Sequence, residues 1–197
     1  MPLVLPLVLL AGLASPSRAD RFSIGASLGA SEGEGGTDSV SYRSVFARLR
    51  IVGGLSIEGE LGGTALEHEA AGGASDCLDC NIARPGVRAR GKLAAATVRF
   101  DLSNRGTLRP HLLAGAGVEN WSSQYIDFVY GRREIGVGLD VRLTEGLHLG
   151  ADVRTGEREL IATRQTRDVA LLVYVPPPLT EESTGYVAGR LTLTATF

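Results

Sequence analysis

Lysine is almost missing from this chain: of its twenty basic residues nineteen are arginine, and Lys92 is the exception. Base composition of a genome can favour arginine, but a guanidinium also suits buried, multiply bonded ion pairs better than an ammonium does. Charge of one sign is lacking too. The formal net charge is -2, with no block of like charges. That balance argues against a nucleic-acid partner and against a disordered charged tail. No stretch approaches the roughly eighteen consecutive apolar residues a membrane helix needs. With mean hydropathy near zero, a helical membrane bundle is excluded. A β-barrel passes both tests, because only alternate residues meet lipid. Aromatics are few, at 6%, and cysteine is limited to Cys77 and Cys80, whereas glycine is plentiful at 26 residues.

What is present is alternation, most clearly at the end of the chain. Val187, Leu191, Leu193, Ala195 and Phe197 fall on one parity; Ala188, Arg190, Thr192, Thr194 and Thr196 fall on the other. Successive side chains of a strand point to opposite faces, so this is a strand with one apolar and one polar face. The pattern recurs seven more times from Arg21 onward. Apolar sets run Phe22 to Ala30, Val45 to Ile51, Leu55 to Gly63, Ala94 to Leu102, Pro110 to Val118, Ile135 to Leu143 and Leu147 to Val153. None of the eight sets contains a charge, although 21% of the chain is charged.

The connections expected between these strands alternate in length. Gly53-Gly54, Ser103 to Gly106 and Thr144 to Gly146 are tight turns; residues 65–91, 120–132 and 156–183 are long loops, as is the Gly/Glu-rich link after the first strand. Short turns at one end and longer loops at the other belong to outer-membrane barrels. Ahead of the strands, residues 3–13 are an apolar run, followed by Ser17 and Ala19. This is the form of a secretory signal cleaved before Asp20, so residues 1–19 are expected to be removed and residues 20–197 to form one exported barrel domain.

Alternation alone leaves open which face is outside. A soluble lipocalin-type barrel has an apolar interior, and a membrane barrel reverses this. Two features favour the reversal. The apolar sets are small and aliphatic, whereas a ligand-holding interior usually wants bulky rings. The polar sets carry nearly balanced charge near the tight turns: Arg48, Arg50, Glu58, Glu60, Arg99, Asp101, Asp140, Arg142, Asp152 and Arg154. These ten are expected to pair inside a narrow lumen, where buried charges must be compensated. Inward Ser23, Gly25, Gly115, Gly117, Gly136 and Gly138 would leave them room. Phe22, Phe100 and Phe197 are placed for an aromatic girdle at the short-turn end. Tyr42, Trp121, Tyr130 and Tyr186 lie near the other end, although Tyr42 and Tyr186 have inward parity.

Taken together, the leader, the eight alternating strands, the segments Arg109 to Gly117 and Leu147 to Arg154, and the terminal Phe197 resemble the small outer-membrane β-barrel family of the OmpA transmembrane domain and OmpX type. The resemblance covers the mature chain and implies an all-β, eight-stranded, antiparallel up-and-down transmembrane barrel. It implies outer-membrane lipid as surroundings, the barrel-assembly machinery as a partner reading the last strand through Phe197, and a monomer. Ala195 departs from the family pattern, which often has a larger apolar residue there. Eight strands leave an interior that side chains fill, so no open pore is expected.

Chemistry is sparsely signalled. Cys77-Leu78-Asp79-Cys80 reads as a loop disulfide in an exported protein, with a metal site recruiting His68 and Asp76 as the alternative. A lipid A deacylase would want a Ser two positions after a His, but His68, His111 and His148 are followed there by Ala70, Leu113 and Gly150. No catalytic residue and no cofactor is therefore assigned. A structural role in the envelope is expected, elaborated by surface adhesion through the loops, where residues 168–179 carry an exposed apolar run. The alternatives are a lipid A-modifying membrane enzyme and a soluble periplasmic ligand-binding barrel.

Overall fold

A computed structural model describes residues 21–33, 39–68, 87–103, 106–122, 126–165 and 183–197. The leader at residues 1–19, the Cys77 and Cys80 pair, and the apolar run at 168–179 lie outside the described residues. Eight strands follow one another: β1 (Phe22–Gly33), β2 (Ser39–Val52), β3 (Leu55–His68), β4 (Val87–Asp101), β5 (Leu108–Ser122), β6 (Ile126–Thr144), β7 (Leu147–Gln165) and β8 (Ser183–Thr196). Each pairs antiparallel with the next, and β8 returns to pair with β1, so the sheet closes with no free edge. The final seam is completed by the Phe197 amide, which donates to the carbonyl of Phe22 at 2.9 Å.

Period-2 alternation decides the two faces. Leu28, Leu61, Ile135 and Leu191 are each more than 60% exposed on the outer wall. Glu58, Glu119 and Arg154, by contrast, are at most 2% exposed inside. The apolar sets thus form the skin of the barrel and the polar sets its filling. Tight turns need the left-handed conformation open to glycine, and Gly53 (φ 56°) and Gly146 (φ 81°) supply it between β2 and β3 and between β6 and β7.

Small inward residues, expected to leave room for arginines, mostly have a ring or backbone as the close neighbour instead. A Cβ on Gly25 would strike the Phe46 ring, one on Gly29 the Tyr42 ring, and one on Gly138 the His111 ring; only at Gly136 is the neighbour an arginine, Arg154, with its Cγ 3.0 Å away.

Three expectations are corrected. The strands run further than the apolar sets: residues 65–68 and 87–91 are strand, as are most of 120–132 and 156–165. Residues 34–38 separate β1 from β2 and 123–125 separate β5 from β6, both fewer than the residues 102–107 separating β4 from β5, so the length asymmetry holds throughout for only two of the four connections at that end. Near the other end the correction concerns Trp121 and Tyr130, since Tyr42 and Tyr186 already had inward parity. Tyr42, Trp121, Tyr130 and Tyr186 are all buried inside the barrel, because the inward parity continues unbroken to that height. The lower group does face out at Phe22 and Phe100, with Phe197 half-buried.

Replacing Gly29 by Val is expected to cost about 1–3 kcal/mol of stability, as overpacking does. Gly59→Ala, whose new Cβ meets nothing within 4 Å, should be close to neutral. Denaturant midpoints of the two variants against the parent check this.

Candidate functional site

The lumen holds one connected set of ion pairs that climbs from the short-turn end. At the bottom Arg99 donates to Asp101 at 2.7 Å and to Asp140 at 2.5 Å. Arg50 stands 3.8 Å from Asp101. Arg48 donates to Glu58 from Nε (3.0 Å) and Nη2 (2.8 Å), with its Nη1 3.7 Å from Asp140.

Halfway up, Arg190 of β8 joins three carboxylates. It donates to Glu58 Oε1 at 2.9 Å, to Glu60 at 3.2 Å and to Asp152 at 2.9 Å. Arg154 donates from Nε to Asp152 at 2.7 Å and from Nη1 to Glu134, and lies 3.7 Å from Glu60. Above it Arg132 donates to Glu134, to Glu119 at 2.8 Å and to the Tyr186 hydroxyl at 3.1 Å. Arg158 donates to Ser31 at 2.9 Å, and its Nε is 3.2 Å from Glu119 at an angle too poor for a hydrogen bond.

These contacts join seven arginines (48, 50, 99, 132, 154, 158, 190) to seven carboxylates (58, 60, 101, 119, 134, 140, 152), and Arg109, in register with Asp140, lines the base of the same column. Planar guanidinium forks make the branching feasible, since each Arg offers five donors in fixed directions. The rings complete the packing. Phe46 lies between Arg48 (5.3 Å) and Arg190 (5.5 Å), and Tyr186 between Arg158 (4.4 Å) and Arg132 (5.4 Å). Over the top of the column Val40, Leu66, Trp121, Phe128 and Tyr130 form a buried apolar cluster. Trp121 ties it to the charges below by donating to Glu119 at 3.1 Å.

Nine of the ten residues expected in the lumen are placed there: Arg48, Glu58, Glu60, Arg99, Asp101, Asp140, Asp152 and Arg154 buried, and Arg50 part-buried. Arg142 is not. It pairs with the inward His148 but stands at the short-turn rim, where it is exposed and donates to the Gly106 carbonyl at 3.3 Å. Five members were missed. Glu119 and Arg190 already stood on inward parity, Arg132 and Arg158 fell in segments read as loop, and Glu134 lay just ahead of the set that begins at Ile135. His111 and His148 are also inside, at 2% and 6% exposure, and His111 makes no hydrogen bond within the protein. A cavity of about 20 Å³ beside His148, Arg48 and Asp140 has room for roughly one water-sized sphere.

An eight-stranded meander, closed, apolar outside and ionic within, defines a class: small barrels built to stand in a membrane. Solved structures agree on the fold. The neisserial surface protein A matches at TM-score 0.58 and 12% identity, over 89% of this chain and 96% of that one. The N-terminal barrel domain of Pseudomonas aeruginosa OprF (TM-score 0.47, 14% identity, 91% and 99% covered) and Yersinia pestis Ail in complex with sucrose octasulfate (TM-score 0.46, 14% identity, 91% and 98% covered) also align. No protein-family model and no curated relative matches. The chain has the fold of the small eight-stranded outer-membrane barrels.

Removing the hub of the column should show its weight. Arg190→Met leaves Glu58, Glu60 and Asp152 short of a partner, and an uncompensated buried charge costs about 3–5 kcal/mol. Arg190→Lys is expected to recover only part of this, because one ammonium replaces a three-way fork. Arg142→Met, on the exterior, should change stability by less than about 0.5 kcal/mol. Urea titration of the refolded barrel measures all three.

Proposed function

We propose that this chain is an outer-membrane β-barrel with a structural role in the cell envelope, closed to bulk flow, whose long connections offer a surface for adhesion. The observation that carries the reading is the inverted polarity. Leu28, Val45, Leu61, Val137, Val153 and Leu191 face outward around Glu58, Arg154 and Arg190. In water such an apolar skin is far larger than the patches soluble proteins leave exposed. In a bilayer it is the ground state, and it counts directly against the soluble ligand-binding alternative.

Closure is supported by the filled lumen. The ion-paired column and the apolar cluster above it occupy the axis, as expected when only eight strands enclose it. The enzymatic alternative fares worse than the structural one, since His111 and His148 are walled into the lumen rather than set beside the lipid. Export by a leader at residues 1–19 and recognition of the last strand by the assembly machinery through Phe197 belong to the same proposal. The bond from Phe197 to Phe22 supports the latter by fixing the final residue at the closing seam.

The expected result is that the protein fractionates with outer membranes, shifts its gel mobility on heating, and leaves planar bilayers without a stable open conductance. Val137→Arg should destabilise the bilayer-inserted protein by about 2–4 kcal/mol, the cost of a lipid-facing Arg near mid-bilayer. Recovery of the parent in the soluble fraction, or indifference to Val137→Arg, would contradict the reading. Unchanged lipid A mass profiles in cells with and without the protein are expected; a changed profile favours the enzyme.

A further inference from the structure

Not all the charge is inside. On the outer wall of β2 to β5 the side chains line up in lateral rows set by the strand register. One row reads Ala26, Val45, Leu61, Ala94, Val118 and is wholly apolar. The next row up reads Leu28, Arg43, Gly63, Lys92, Asn120, and the one above it Ala30, Ser41, Ala65, Arg90, Ser122. Polarity therefore switches within a single step along the strands. Arg43, Arg90 and Lys92 are exposed, and among the described residues none of them is ion-paired.

The spacing of the three is suggestive of a bound anion. Arg43 and Lys92 sit two strands apart, about 10 Å at roughly 4.8 Å per strand. Between them lies Gly63, which puts no side chain in the gap, and a Cβ built there would meet nothing closer than 3.7 Å. Arg90 stands one row above on the same strand as Lys92. Three cations thus surround a saddle with an empty floor. On the opposite wall the corresponding cation is neutralised: Arg133 pairs with Glu159 at 3.3 Å and lies across from Glu157. Among the described residues Arg43, Arg90 and Lys92 have no such ion-pair partner, and the nearest carboxylates in register, Glu32 and Glu67, stand one row further up the wall.

Directly beneath the saddle an apolar trough runs down the wall. It is lined by Leu28, Val45, Leu61, Leu191 and Leu193, with Ala26 as its low floor, and Arg43 stands at its head. A polar pocket containing Arg43, Arg90 and Gly63 shares Leu28, Arg43 and Gly63 with it, so the two are one continuous groove. A groove cationic at one end and aliphatic along its length matches a molecule with an anionic head and a hydrocarbon tail.

We infer that the outer wall of β1 to β4 binds a phosphate-bearing lipid, its phosphate held by Arg43, Arg90 and Lys92 and an acyl chain lying on the trough below. The inference rests on the barrel standing in a membrane. A phosphate offers several acceptor oxygens, so two guanidinium forks and an ammonium engage it together. Each cation near an anionic lipid surface is worth about fivefold in affinity, so the three acting independently would contribute about a hundredfold, and about tenfold is the least the site should show.

Full-length protein refolded in detergent and scored for heat-modifiable mobility provides the test, with native mass spectrometry reading bound lipid. The probes are bis-phosphorylated lipid A and the same lipid with its phosphates removed. The parent is expected to retain the phosphorylated form at least about tenfold better. Replacing all three cations (Arg43→Gln, Arg90→Gln, Lys92→Gln) should abolish the preference, while Arg133→Gln keeps it. Equal retention of the two lipids by the parent, or a preference that survives the triple replacement, overturns the site while the membrane barrel stands. An excess of inorganic phosphate that displaces the lipid fully would overturn the part assigned to the trough. A parent without heat-modifiable mobility overturns the membrane reading and the site with it.

Discussion

A charge cannot be left alone inside a barrel this narrow. Seven guanidinium groups with seven carboxylates form a solid that fills the lumen, whereas an unpaired member would carry a desolvation cost that no neighbour offsets. Much of the rest follows from that constraint. Arginine prevails over lysine because one fork can serve two or three carboxylates, as Arg190 and Arg154 do. Glycines stand inward where rings and long side chains must pass, at Gly25, Gly29 and Gly138. The outer wall in turn takes most of the aliphatic residues, since the inside below the level of Leu66 and Trp121 is given over largely to charge and admits only a few such as Leu93 and Leu113.

The same column explains the static character of the molecule. Its hubs come from distant parts of the chain: Arg190 on β8 reaches Glu58 and Glu60 on β3, and Arg99 on β4 reaches Asp140 on β6. Each such bond crosses the lumen, so the barrel is braced across its diameter as well as around its wall. A conducting path would require several of these to open together. That is the physical support for the structural role proposed above.

The lower two-thirds of each strand was legible in the sequence, and the upper third was not. Below, the rule is simple: aliphatic outward, polar inward, as in Val45, Ala47 and Leu49 against Phe46 and Arg48. Above the apolar band both faces change character. Inward positions become Val40, Leu66, Trp121, Phe128 and Tyr130, while outward positions become Arg43, Ser41, Arg90 and Arg133. A search for charge-free apolar sets loses phase there, because the water-facing wall is polar and the lumen is capped with rings. Segments such as 126–134 then look like loop. The lost members Arg132, Glu134 and Arg158 lie on those extensions, so three of the fourteen in the column were invisible for the same reason. Arg142 failed in the opposite way: its parity was right, but its place at the rim beside the turn leaves it exposed. Glu119 and Arg190 were within reach, since counting every inward charge, rather than those near the turns alone, would have included them.

The account stands on which face of the wall meets hydrocarbon. The most direct measurement is solution NMR of the refolded barrel in a lipid environment, with methyl-labelled Leu, Val and Ile and observable arginine Nε protons. The account predicts cross-relaxation with acyl-chain protons at the methyls of Leu61, Ile135, Val137, Val153 and Leu191, together with slow water exchange at the Nε protons of Arg154 and Arg190. Acyl-chain contacts absent from those methyls, with rapid exchange at the two arginines, would contradict it.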